Sequence, residues 1–87
     1  MHEMTLLRDL LRKIELIAAQ EEASRVVGVK VRIGALAHIS GEHFREHFEQ
    51  ATEGHVAEDA ELEVVEMTDE SDPLAQEIVL ESIQVQD

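Results

Sequence analysis

The sequence contains no cysteine, tryptophan or tyrosine, only one proline and only two phenylalanines. Without cysteine, disulfides, thiolate metal sites and a zinc ribbon are excluded. Charged residues interrupt the first twenty positions, which argues against a secretory signal. No stretch approaches the roughly 20 consecutive apolar residues that span a membrane. We therefore expect a cytoplasmic protein without a membrane segment.

The 87 residues are enough for one domain, spanning residues 1–87. A chain of this size buries only about 60–65% of the surface that its unfolded form exposes, so its core is thin. With two phenylalanines and a hydrophobic content of 44%, most of the buried surface must come from leucine, isoleucine and valine.

Negative charge is concentrated in the second half of the sequence. The net charge is −13, and residues 41–87 hold fifteen acidic side chains against the single basic side chain of Arg45. Such a surface repels nucleic acid and anionic lipid, so we expect neither as a partner. It attracts cations or a basic protein surface, or it is a solvated face that keeps a small protein in solution.

Hydrophobic periodicity divides the chain into five elements. The predicted elements are a helix over 5–23, a strand over 27–33, a helix over 41–53, a strand over 60–66 and a strand over 77–86. Thr5 and Ser40 are the predicted N-caps, and Gly54 the C-terminal stop of the second helix. The first strand alternates Val27, Val29 and further aliphatic residues with polar ones, so one face should be buried.

The expected fold is α+β, with two helices packed on one face of a small three-stranded mixed sheet. The strand–helix–strand unit predicts parallel pairing of the first two strands, and the last two strands should form an antiparallel hairpin. In the last strand the apolar parity changes midway, which predicts a β-bulge near Glu81–Ser82. The open face of the sheet should carry Lys30, Arg32, Glu61 and Glu63.

Residues suited to catalysis are scarce. There is no cysteine nucleophile, no glycine-rich loop opens a helix, and the serines lack the surroundings of a nucleophile elbow. We therefore expect no enzymatic activity.

Histidine 2 is the most informative potential ligand. A terminal amine, the amide nitrogen of residue 2 and its imidazole can close adjacent chelate rings on one ion. Such nitrogen donors suit Ni(II), Cu(II) and zinc, and a deprotonated amide favours the square-planar geometry of Ni(II) or Cu(II). At this point the alternative stays open that His2 is an exposed chain end.

The other histidines have structural alternatives. His43 and His47 stand four apart, a spacing that allows two imidazoles to hold one metal, but the structural alternative is that they simply flank the buried stripe of the helix. His38 follows a strand, where ligands often bind, and His55 has the setting of a loop residue.

Several segments together resemble one family. They are MHE at the start, RVVGVKVRIGAL (25–36), GHVAEDAELEVVE (54–66) and the closing EIVLESIQVQ (77–86). The chain resembles the HypA/HybF nickel metallochaperones of [NiFe]-hydrogenase maturation, which in some bacteria also serve urease. The resemblance covers nearly the whole chain and implies the same order of helices and strands.

The resemblance implies an Ni(II) site at the N-terminus. In the family, the terminal amine or nearby amides and the imidazole at position 2 bind nickel, while position 3 contributes through its backbone and helps in docking. Carried over, these positions are Met1, His2 and Glu3. The implied partner is a nickel-inserting GTPase or the hydrogenase large subunit.

The chain departs from the family at two places. Where the family inserts a zinc domain with two CxxC pairs, this chain has the segment MTDESDPLAQ (67–76), so no structural zinc is expected. Where family members often carry an acidic residue, this chain has Ser40, a poor ligand, and the nearby His38 can substitute for it. The alternative function is a metal-free interaction module derived from the same fold. The client enzyme and the oligomeric state stay open.

Overall fold

The computed structural model describes residues 3–87, with side chains from residue 4 onward. The elements are α1 (Glu3–Gln20), β1 (Arg25–Ile33), α2 (Gly41–Ala51), β2 (Glu61–Glu66) and β3 (Ile78–Gln86). The three strands form one mixed sheet. The predicted α+β fold and the order of its elements are confirmed.

Helix α1 buries the apolar stripe that its sequence predicts. The buried positions follow the three-and-four spacing of one helix face and are Leu7, Leu10, Ile14 and Ala18. The helix already begins at Glu3, so Thr5 lies inside it and the predicted N-cap is wrong. Glutamate is a better helix former than threonine, which agrees with a helix that already includes residue 3.

The C-terminal end of α1 is a Schellman motif centred on Glu22. Glu22 N–H donates to the Ala19 carbonyl at 3.1 Å, and Ala23 N–H donates to the Ala18 carbonyl at 3.0 Å. Glu22 has a φ of 55°, the left-handed conformation that glycine usually supplies at this position. The regular helix therefore ends at Gln20, before the predicted end at residue 23.

Strand β1 is the central strand of the sheet, in the order β2-β1-β3. It pairs in parallel with β2, as predicted, and antiparallel with β3. The predicted hairpin between β2 and β3 is therefore wrong. The eleven residues between them are long enough to carry the chain past the end of β1, where Met67 N–H donates to the Ile33 carbonyl at 2.8 Å. Both β2 and β3 thus pair with β1, which has more buried residues than either of them.

Two β-bulges adjust the register between β1 and β3. Lys30 pairs with Ser82 and Val31 with Leu80, which leaves Glu81 as an extra residue and confirms the predicted bulge. A second register shift leaves Val27 extra. As a result Val26 is fully buried and Val27 only half-buried, so the predicted assignment of Val27 to the buried face is wrong.

Both helices and the sheet contribute to one hydrophobic core. The cluster includes Leu10 from α1, Phe44 from α2, Val31 from β1, Leu62 from β2 and Ile78 from β3. The opposite face of the sheet is polar, as predicted, and carries two ion pairs. Lys30 Nζ lies 3.8 Å from Glu63 Oε2, and Arg32 Nε lies 3.2 Å from Glu81 Oε1. Such exposed pairs contribute little to stability.

Among residues 3–87, no helix is both long and apolar enough to cross a membrane.

The left-handed residue at the end of α1 gives a stability prediction. Glu22→Gly should raise the free energy of unfolding by about 0.5 to 1 kcal/mol, because glycine adopts this conformation without the steric cost of a Cβ. Urea denaturation measures the change. The matched control is Gln20→Gly, inside the last helical turn, which should lower the free energy of unfolding by a similar amount. A loss of stability in both variants would contradict the assignment of Glu22 to the cap.

Candidate metal site

The predicted N-terminal ligands Met1 and His2 lie outside the described residues. Glu3 is the first residue of α1, and only its backbone is described. The described residues that follow them in sequence include Thr5 and Leu6, in the first turns of α1.

His38 lies beside the start of α1. It stands in the loop between β1 and α2 and is exposed. It lines an open groove of about 500 Å³ together with Thr5, Leu6 and Glu77. The fold thus brings a histidine from the β1–α2 loop and a carboxylate from the entry to β3 to the first turns of α1.

The backbone of His38 has an unusual conformation. Its φ is 60°, in the left-handed region that residues other than glycine seldom occupy. Histidine tolerates this region better than most residues do. Such outliers persist where the surrounding structure over-determines them and often mark functional positions.

The first part of the His38 loop is held by the segment before β3. Gly34 N–H donates to the Glu77 carbonyl at 2.9 Å, and Leu36 N–H donates to the Ala75 carbonyl at 2.7 Å. A Cβ at position 34 would overlap the carbonyl group of Ala75. Glycine is therefore needed here because the two backbones approach each other closely.

The second part of the loop is held by the start of α2. The Ser40 hydroxyl accepts from His43 N–H at 3.1 Å, which confirms the predicted N-cap. The Glu66 carboxylate, at the end of β2, accepts from Gly41 N–H and places a negative charge at the N-terminus of the helix. His38 is therefore held between two hydrogen-bonded anchors. Ser40 acts in the helix cap.

His43 and His47 are adjacent on α2, with ring centroids 4.5 Å apart and an interplanar angle of 67°. Between residues 3 and 87, no three histidine or carboxylate side chains are grouped so that they could hold a metal ion. The pair therefore lacks a third ligand within that range. Phe44 and Phe48, one position further along, are the buried side chains of this helix, so the histidines flank the core.

His55 has a structural role that its sequence context did not indicate. Its ring is largely buried: Nε2 lies 2.9 Å from Glu15 Oε2, and Nδ1 accepts from Ala57 N–H at 3.0 Å. Because Nδ1 accepts, the proton of the neutral ring is on Nε2 and is donated to Glu15. His55 thereby joins α1 to the loop after α2. Glu15 is forty residues away in sequence, so no local pattern could reveal the contact.

The segment 67–76 is folded back on itself by two aspartates. Asp69 Oδ1 accepts from the Ser71 hydroxyl at 2.7 Å and from Ser71 N–H at 2.9 Å. These two hydrogen bonds lower the pKa of Asp69 below its ordinary value. Asp72 Oδ1 accepts from Leu74 N–H at 2.7 Å. The aspartates therefore shape local turns in this segment.

The chain matches a protein-family model described as "Hydrogenase/urease nickel incorporation, metallochaperone, hypA" over residues 1–72. It is 42% identical over 67 residues to the hydrogenase maturation factor HypA of Rhodopseudomonas palustris. The aligned residues make up 77% of this chain and 59% of that protein. It is 37% identical over 64 residues to the hydrogenase maturation factor HypA of Archaeoglobus fulgidus. The aligned residues make up 74% of this chain and 58% of that protein. The chain thus spans about three fifths of the length of these curated relatives.

The fold is also found in a solved structure, the solution structure of the Ni metallochaperone HypA from Helicobacter pylori. The TM-score is 0.80, and the match covers 99% of this chain and 98% of that one, at 21% sequence identity. At this identity the likeness establishes the fold. The family match extends over residues 1–72, which include positions 1–3 and His38. Together with the identity to the curated relatives, it shows that the chain belongs to the HypA family of hydrogenase and urease nickel-incorporation metallochaperones.

Proposed function

We propose that this chain binds one Ni(II) ion at its N-terminus and delivers it for [NiFe]-hydrogenase maturation, or for urease. The observation that carries the proposal is the family match over residues 1–72. The family is described as one of metallochaperones, so the proposed role is to bind an ion and pass it on without chemical turnover. Nickel is the cargo in this role.

The proposed donors are the Met1 amine, the backbone amide and imidazole of His2, and the backbone of Glu3. Adjacent nitrogen donors form chelate rings with one ion, and such a set suits the square-planar or tetragonal preference of Ni(II). The His38 imidazole supplies a further nitrogen. Its support is the groove that His38 shares with Thr5, three residues after His2 in sequence.

This donor set agrees with delivery of the ion. A chelate at a chain end exchanges its ligands one at a time, so a partner's ligands can replace them in steps. Because amine, amide and imidazole must lose or lack protons to bind metal, binding releases protons and affinity falls as the solution becomes more acidic. We propose a nickel-inserting GTPase or the hydrogenase large subunit as the receiving partner.

The chain itself offers no thiolate for zinc. It contains no cysteine, and a structural zinc site of the four-cysteine type needs thiolate ligands. We therefore propose that the segment 67–76 takes the place of the zinc domain that the family resemblance implies, and that nickel is the metal bound by this chain.

His2 gives the decisive test of the nickel site. In calorimetric titration of Ni(II) into protein that begins at Met1 with a free amine, His2→Ala should weaken binding more than about 100-fold. A direct ligand should cost more than the 10- to 100-fold typical of residues that only support one. A two-residue extension ahead of Met1 should also weaken binding, because it moves the terminal amine away from His2.

The matched control is His43→Ala, which removes an exposed histidine from α2 and should leave affinity unchanged. If His43→Ala abolishes binding and His2→Ala does not, the metal is held by the histidine pair on α2. If the intact protein takes up no Ni(II) at neutral pH, the metal-free interaction module becomes the correct function.

His38 gives a second prediction. His38→Ala should weaken Ni(II) binding about 10-fold, because the chelate of residues 1–3 remains while one nitrogen donor is lost. The same titration measures the change, with His43→Ala again as the control. Equal affinity of His38→Ala and intact protein would remove His38 from the donor set and leave the N-terminal chelate in place.

A further inference from the structure

We propose that the Glu77 carboxylate is an additional oxygen ligand of the ion held at the N-terminus. The inference rests on the proposed nickel site and extends it by one residue. In sequence, Glu77 stands between the acidic segment 67–76 and the strand β3, and nothing in its local pattern marks it as a ligand. The fold places it in the groove that holds His38.

The first observation is shared position. Glu77, His38 and Thr5 line the same groove, although they come from three distant parts of the chain. Glu3, two positions before Thr5, begins α1, and His2 immediately precedes it. The groove is therefore lined by a residue that lies two positions after Glu3 and three after His2 in sequence. His38 and Glu77 are the imidazole and carboxylate that it offers.

The second observation is that both backbone polar groups of Glu77, its N–H and its carbonyl, are hydrogen-bonded. Its N–H donates to the Leu74 carbonyl at 3.0 Å, and its carbonyl accepts from Gly34 N–H at 2.9 Å. Its side chain is exposed, so the carboxylate is accessible to an ion in the groove. A ligand that starts from an ordered backbone loses less conformational freedom on binding than one on a free loop.

The third observation concerns what the other donors lack. The amine and the imidazoles bind as neutral donors, so any negative charge among the other proposed donors comes from deprotonated backbone amides, and none of these donors is a carboxylate. A carboxylate adds a negative charge and an oxygen donor, and tetragonal sites of Ni(II) accept both nitrogen and oxygen. In the range of residues 3–87, no three such side chains form a complete site. His38 and Glu77 would thus complete a site whose other ligands come from residues 1–3.

The test is Glu77→Gln, which keeps the size of the side chain and both backbone hydrogen bonds but removes the anionic donor. We expect Ni(II) binding about 10-fold weaker by calorimetry. The matched control is Glu70→Gln, which makes the same change of charge at an exposed position of the preceding segment. Thermal unfolding of the metal-free variants checks that both are folded.

The spin state of bound Ni(II) gives a readout that a merely structural role would not move. A planar nitrogen-bound Ni(II) is diamagnetic, whereas added axial ligands make the ion paramagnetic and shift nearby proton resonances. We expect paramagnetically shifted resonances in the Ni(II)-loaded intact protein and in Glu70→Gln, and a changed pattern of these resonances, or their loss, in Glu77→Gln, where His38 alone remains as an added ligand. Glu77→Asp, which restores a carboxylate, should recover part of the affinity.

The result that overturns the proposal is equal affinity and equal spectra for Glu77→Gln and Glu70→Gln. If His2→Ala still abolishes binding in that case, the N-terminal nickel site stands and only Glu77 is excluded from it. If His2→Ala also binds like the intact protein, the proposed function fails together with the inference.

Discussion

The close backbone contact between Gly34 and the residues before β3 determines much of this fold. The N–H groups of Gly34 and Leu36 donate to the carbonyls of Glu77 and Ala75 respectively, and only a residue without a Cβ fits at position 34. This contact continues the pairing of β3 with β1 beyond the end of the strand. It lies on the side of β1 that pairs with β3, opposite the side that pairs with β2.

The same contact explains the position of the proposed metal site. The chain leaves β1 at Gly34 and enters α2 at Gly41, so the loop with His38 is held at one end by the segment before β3. At the other end, Ser40 and the Glu66 carboxylate bind the first N–H groups of α2. The loop emerges beside the first turns of α1. The hydrophobic cluster lies between the helices and one face of the sheet, whereas the groove that His38 lines lies apart from it, at the start of α1.

The sequence predicted the elements well and their pairing only in part. The change of apolar parity in the last strand predicted the bulge at Glu81, because a strand with one buried face must keep its alternation. At the start of β1 two consecutive valines, Val26 and Val27, satisfy either parity, so the second bulge was not predictable. The hairpin between β2 and β3 was predicted because strands that are neighbours in sequence usually pair. The prediction was wrong because both strands pair with β1 instead.

The sequence by itself determined the lack of thiolate chemistry, the acidic charge, the five elements and, through the resemblance carried by its motifs, the family. These properties depend on composition, on local periodicity and on residues close in sequence. Only the tertiary structure decided that His55 joins α1 to the loop after α2 and that His38 and Glu77 share a groove at the start of α1. Both arrangements bring together residues about forty positions apart in sequence, and both depend on strand order and on the close approach of distant backbone segments. Neither the contact of His55 with Glu15 nor the groove shared by His38 and Glu77 leaves a local signal in the sequence.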